Sequence, residues 1–146
     1  MPVPFWAGHY IGLPFSEHGR CRAGLDCWGL VRLVFSEQLG VALPSFAGEY
    51  RRTSDAAQIG ALVARETPAW AEVAPGAEIL GDVIVLRMKG APMHVGIVLG
   101  DGRMLHVEQG IDSAIENYRG PRWQERLHGF YRYRKASPDD TDGVIF

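Results

Sequence analysis

Apolar residues recur at helical spacing early in the chain. Leu30, Val31, Val34, Phe35 and Leu39 fall on one face of a predicted helix that Gly40 stops. Asp26 stands just ahead as an N-cap, because its carboxylate can accept from the unpaired N–H groups of the first turn. The same spacing predicts a second helix over residues 55–65, capped by Ser54, with Ile59, Leu62 and Val63 as its apolar stripe. Residues 6–15 read as a short helix that Gly12 and Pro14 end, and residues 16–25 as a polar loop. After Gly81 the period changes to that of strands, predicted over residues 83–86, 95–99, 104–107 and 130–134, with a weaker one over 114–117. Helices first and strands afterwards predict an α+β fold, with N-terminal helices packed on a central antiparallel β-sheet. Residues 1–136 read as one domain, and 137–146, with Pro138 and three aspartates, as a flexible acidic tail.

Composition narrows the function. A chain of 146 residues, 47% apolar, can bury one sizeable core. A net charge of -2 gives no electrostatic case for nucleic acid or an anionic membrane. Arg119, Arg122, Arg126, Arg132, Arg134 and Lys135 do cluster near the end, with Tyr131 and Tyr133 interleaved. Strand alternation puts Phe130, Arg132 and Arg134 on one face, which predicts a half-buried edge strand rather than a nucleic-acid surface. No apolar run approaches the roughly 20 residues of a membrane span, so no membrane insertion is expected. The first ten residues lack a basic stretch followed by an apolar one, which predicts synthesis in the cytoplasm without a signal peptide. Cys21 and Cys27 are too few for a disulfide framework and are expected as free thiols.

The candidate chemistry starts at Cys27, in the first turn of the first helix. A helix N-terminus favours the thiolate, the nucleophilic form, and is expected to lower the thiol pKa. A small buried core residue is the plainer reading of a cysteine, and the capping Asp26 and the close-approach residue Gly29 weigh against it. His94 and His106 follow on predicted strands. A three-residue loop, Gly100-Asp101-Gly102, would pair Leu99 with Arg103 and set Gly96 opposite His106. His94, Gly96, His106 and Glu108 would then share one face, with the two imidazoles as diagonal neighbours and Gly96 leaving room beside them. In that arrangement Cys27 attacks a carbonyl carbon, His94 takes its proton and returns one to the leaving amine, and His106 orients His94. The backbone N–H of Cys27 is the natural first donor to an oxyanion. A zinc site built from Cys27, His94 and His106 is the rival reading of the same three residues.

The runs 10–15 (YIGLPF), 26–30 (DCWGL), 81–83 (GDV), 94–98 (HVGIV) and 105–107 (LHV) resemble, in order and spacing, the NlpC/P60 cysteine peptidases of papain-like fold. The resemblance implies Cys27, His94 and His106 as catalytic residues, no cofactor and no metal. It implies peptidoglycan stem peptides as substrate, commonly at the bond from γ-D-glutamate to diaminopimelate. The short chain looks most like the branch carried on phage tails and gene transfer agents, which implies tail-tip or baseplate partners and action from a particle at the cell envelope. Phe15 stands where the family often has a tyrosine hydroxyl, and His18 or Tyr10 is the expected substitute. Trp28 replaces a common small serine and is expected to reshape the substrate groove. Asp26 matches the family and is expected to cap the helix or to bind the free amino end of the stem peptide. Phe15 and Trp28 also support a second reading, a tail-tip or baseplate component of this fold that binds without turnover.

Overall fold

A computed structural model describes residues 2–134. The acidic tail expected over 137–146 lies outside the described residues. The two α-helices and five strands expected after residue 26 form in the expected order. α1 spans Cys27–Gln38, and Asp26 caps it by accepting from the Gly29 N–H at 2.8 Å. Its buried face, Leu30, Val31, Val34 and Phe35, packs on the sheet, each such side chain contributing about 1.5–3 kcal/mol. That seam fixes where Cys27 sits. A Cβ at Gly29 would overlap the Gly19 carbonyl oxygen, so only glycine lets the preceding loop lie this close to α1.

Several boundaries differ from expectation. Residues 6–15 do not form one helix: a 3-10 turn spans Phe5–Tyr10, and Phe15 instead makes a parallel bridge to Leu25. The polar loop contains a small hairpin, β1 (Arg20–Cys21) with β2 (Gly24–Leu25). α2 spans Ala56–Glu66, and its cap is Asp55, not Ser54, because the Asp55 carboxylate accepts from the Gln58 N–H at 3.0 Å.

The remaining chain makes a six-stranded antiparallel sheet. Its strands are β3 (Ala71–Val73), β4 (Val83–Met88), β5 (Ala91–Gly100), β6 (Arg103–Glu108), β7 (Ile111–Asn117) and β8 (Leu127–Arg132), in the order β3-β8-β4-β5-β6-β7. β8 is therefore an interior strand. The expected edge position fails because β3, three residues long and without a readable alternation, pairs beside it. One face of the sheet, with Val83, Val85, Val95 and Ile97, packs on α1. The other, with Ile84, Leu86, Val98 and Met104, is covered by Tyr118, Trp123 and Phe130. Among the described residues, no helix is long and apolar enough to cross a membrane.

The turn between β5 and β6 is not the expected three-residue loop. Gly100 pairs with Arg103 around a two-residue turn, Asp101 and Gly102, both at positive φ (52° and 72°). Such a primed turn matches the twist of the strands it joins. Leu99 is then left over as a bulge, because Val98 still pairs with Met104 and Ile97 with Leu105. The bulge restores the register that the longer loop would have given.

Candidate active site

Cys27 opens α1 and borders two depressions, one of them shared with His94. The pairing of β5 with β6 extends from the turn to Ile97 and Leu105, and one residue beyond Gly96 the Val95 N–H reaches the Cys27 thiol. The Trp28 N–H bonds it as well. The expected lowering of the thiol pKa is reversed. Burial, reinforced by the charge of Asp26, pushes the Cys27 thiol up to about 12, and the two backbone N–H groups offset this only in part. Desolvation outweighs the helix terminus, so the resting group is the neutral thiol.

His94 and His106 meet as the register requires. His94 Nε2 lies 2.8 Å from His106 Nδ1, and His106 Nε2 lies 2.7 Å from Glu116 Oε2. Burial works to raise the Glu116 pKa, but hydrogen bonds from Trp123 and His106 outweigh it and hold the carboxyl below its ordinary value. An ionised Glu116 accepts, so His106 carries its proton on Nε2 and offers a lone pair at Nδ1. His94 must then donate from Nε2, which leaves its Nδ1 free to take a proton. Burial, the neighbouring His106 and the positive Arg122 push His94 down to about 3. Burial also lowers His106, against the pull of Glu116. Both rings are neutral near pH 7. Trp123 stacks on His94 with centroids 5.6 Å apart and planes 15° from parallel, while its Nε1–H donates to Glu116 at 3.0 Å.

Glu116 was not among the residues singled out in the sequence. It lies on β7, where His106 pairs with Ala114, and so reaches His106 as a diagonal neighbour on the same face. Extending the strand register across one more hairpin would have found it.

The residues expected around the substrate divide. Asp26 is fully buried and its two oxygens are occupied: Oδ1 takes Gly29 N–H and Arg20 Nη1 at 2.7 Å, and Oδ2 takes His18 N–H and the Tyr50 hydroxyl. The expected contact with a substrate amine gives way to a cap that also ties the preceding loop to α1. Gly96 is likewise no substrate residue. It is buried, and a Cβ there would stand 3.0 Å from the Leu105 carbonyl oxygen and 3.2 Å from His106 Cβ, so it spaces β5 against β6. Neither substitute for the missing tyrosine serves. His18 bonds the Tyr50 carbonyl through Nε2, and Tyr10 is fully buried with its hydroxyl on Glu37. Phe15 lines the groove shared by Cys27 and His94, and Trp28 lines the other depression, with its Nε1–H on the Pro44 carbonyl.

The zinc reading fails on geometry, because His94 and His106 direct nitrogens at each other at hydrogen-bond distance. Among the described residues the one group of possible ligands close enough to share an ion is His106, Glu108 and Glu116. Arg122 already supplies a cation there, bonding Glu108 at 2.8 Å and Glu116 at 3.2 Å. Three other arginines of the basic cluster are engaged as well: Arg119 with Glu78, Arg126 with Met88 and the Trp123 ring, Arg132 with Asp82, while Arg134 is exposed. Lys135 lies outside the described residues.

Comparison with known proteins places this geometry. The family model described as the NlpC/P60 family matches residues 12–132. The chain is 27% identical over 117 residues to the murein DD-endopeptidase MepS/murein LD-carboxypeptidase of Escherichia coli, covering 80% of this chain and 54% of that protein. It is 28% identical to the gamma-DL-glutamyl hydrolase of Bacillus subtilis, covering 99% of this chain and 32% of that protein. The chain thus spans about half or less of these relatives' length. An NlpC/P60 family protein from Bacillus cereus superposes with a TM-score of 0.65 at 22% identity, over 90% of this chain and 41% of that one. The NlpC/p60 domain of the peptidoglycan hydrolase SagA gives 0.57 at 21%, over 86% and 91%. The fold is the α+β, papain-like fold of these structures.

Proposed function

The chain belongs to the NlpC/P60 family, and from that premise we propose that it is a cysteine peptidase that hydrolyses stem-peptide bonds of peptidoglycan with Cys27, His94 and His106. The observation that carries the reading is the chain of contacts from Glu116 through His106 to His94 Nε2, together with the groove that His94 and Cys27 both line. The names of the relatives, a murein endopeptidase and a gamma-DL-glutamyl hydrolase, support the substrate class.

The reaction follows from the protonation states. Cys27 Sγ adds to the carbonyl carbon as its proton passes to His94 Nδ1, so no free thiolate has to accumulate in the buried site. The Cys27 N–H, first in α1 and without an intrahelical acceptor, donates to the oxyanion. His94 then gives the proton to the leaving amine as the C–N bond breaks, and a thioester remains. Water adds to that thioester with His94 as base, the acid leaves, and the thiol regains its proton. His106, held by Glu116, keeps the His94 ring turned so that Nδ1 stays available.

Phe15 adds no hydroxyl to the groove, and this favours one second reading, a binding component of a tail tip or baseplate without turnover. Incubation of the purified chain with peptidoglycan, followed by mass analysis of released muropeptides, separates the two. The peptidase releases new amino termini and Cys27→Ala releases none. Equal output from both proteins overturns the peptidase.

A further inference from the structure

Trp123 closes the relay into a ring. Its indole lies 15° from parallel to the His94 imidazole with centroids 5.6 Å apart, stands at 89° to the His106 imidazole at 5.3 Å, and donates from Nε1 to Glu116 Oε1 at 3.0 Å. His106 Nε2 bonds the other carboxylate oxygen, Oε2, at 2.7 Å. The bond to His106 holds one point of the His94 ring but not its plane, and the stacked indole fixes the plane. The indole is itself anchored, because Trp123 is 1% exposed, its backbone N–H donates to the Gly120 carbonyl at 3.1 Å and its carbonyl accepts from the Arg126 N–H at 2.8 Å. Burial among Ile84, Val98 and Phe130 asks only that Nε1–H find some acceptor. It does not ask for the carboxylate that His106 needs, nor for a parallel stack on His94.

Resting on the peptidase reading above, we propose that Trp123 is a positioning residue of the reaction: its ring face sets the plane of His94, and its Nε1–H occupies Glu116 Oε1 so that Oε2 is left to His106. A carboxylate can serve both donors because both of its oxygens accept. A carboxamide at position 116 has a single oxygen. Turned to His106, it sets its NH2 against the indole N–H. Turned to Trp123, it presents NH2 to His106 Nε2 and reverses both tautomers, which puts the proton on His94 Nδ1 and removes the base. In Glu116→Gln, Trp123 therefore competes with His106 instead of supporting it.

The test measures kcat and KM of the full chain on a soluble muropeptide for wild type, Trp123→Phe, Glu116→Gln and the double variant. Phenylalanine keeps a ring face against His94 and drops the N–H. Trp123→Phe is expected to lower kcat about threefold or more with KM little changed, and in the Glu116→Gln background the same exchange is expected to raise kcat by about threefold. A residue that only fills the core lowers both backgrounds alike, so any outcome in which the exchange fails to reverse sign between them overturns the proposal. Nitrogen NMR of the imidazoles needs neither a Trp123 variant nor turnover. Wild type is expected to carry the His94 proton on Nε2 alone, and Glu116→Gln to show a mixture of the Nδ1 and Nε2 forms. His94 kept wholly in the Nε2 form in Glu116→Gln overturns the competition that the proposal requires. If wild type turns over no faster than Cys27→Ala, the peptidase reading fails and a role in the reaction fails with it, while the imidazole signals still report whether Trp123 and His106 share Glu116.

Discussion

His94 Nε2 and His106 Nδ1 face each other at 2.8 Å, and the direction of that hydrogen bond is set from β7, by a carboxylate that bonds the second ring and not the first. Glu116 accepts from His106 Nε2, so each imidazole has a single tautomer consistent with neutrality. On the proposed reading, the ring that acts as base is therefore set by a carboxylate that reaches it only through His106.

Removal of Glu116 tests that relay. Glu116→Leu leaves His106 free to adopt the other tautomer, and kcat is expected to fall about tenfold or more while KM moves little, since proton transfer and not binding is impaired. Glu116→Gln retains an acceptor for His106 and recovers part of the loss. An unchanged kcat in Glu116→Leu would reduce the carboxylate to an anchor for Trp123 and Arg122.

Acid should destabilise the fold through the same rings. His94 is held near 3, whereas its ordinary value is 6.5, so between these limits the unfolded chain binds a proton that the folded chain refuses. Stability is therefore fully present above 6.5 and falls as pH drops, by about 1.4 kcal/mol per pH unit for each such proton. His106 shifts in the same direction and steepens the slope. Urea denaturation midpoints from about pH 7 down to about pH 5 should fall, and His94→Gln should flatten the slope. Equal slopes in both proteins would show that His94 is not held neutral.

Asp26 is expected to behave as structure. Asp26→Ala leaves Arg20, only 15% exposed, without its ion partner, and removing one member of such a pair costs about 3–5 kcal/mol. The lost cap at Gly29 adds about 1 kcal/mol. Thermal unfolding should show a large drop in Tm, with KM near wild type at temperatures where the variant is folded. A raised KM with Tm unchanged would restore Asp26 to the substrate.

The parts of this protein legible in the sequence are those set by periodicity. α1, its Asp26 cap and the strands from Val83 onward follow from spacing, while the shared face of His94 and His106 is as expected although the three-residue loop expected to bring it about is a two-residue turn with a bulge at Leu99. Features that depend on closure in space were not readable. β3 is too short to alternate, so β8 looked like an edge. Asp101-Gly102 suits a two-residue primed turn, but without the Leu99 bulge that turn would put the two rings on opposite faces, and the bulge cannot be read from residue types. The helix terminus at Cys27 was visible, but the burial that overrides it depends on how the 41–54 segment and α2 close over the sheet. Glu116 sits on the weakest strand pattern, and its role exists only through the β6–β7 register.

The two cysteines offer the most direct test of the resting state. Alkylating reagents attack the thiolate, and a thiol pushed up to about 12 presents roughly a thousandfold less of it near neutral pH than an ordinary one. Cys21 is exposed on β1, while Cys27 is half-buried behind Trp28 and the β5 backbone. Iodoacetamide at pH 7 should therefore label Cys21 first, as read by peptide mass mapping over time. On the proposed mechanism substrate changes the balance, because the carbonyl carbon accepts sulfur electrons as His94 takes the proton, and the buried charge is passed to an oxyanion beside the Cys27 N–H. Labelling of Cys27 ahead of Cys21, abolished in His94→Gln, would instead establish a standing thiolate–imidazolium pair and refute the neutral resting site.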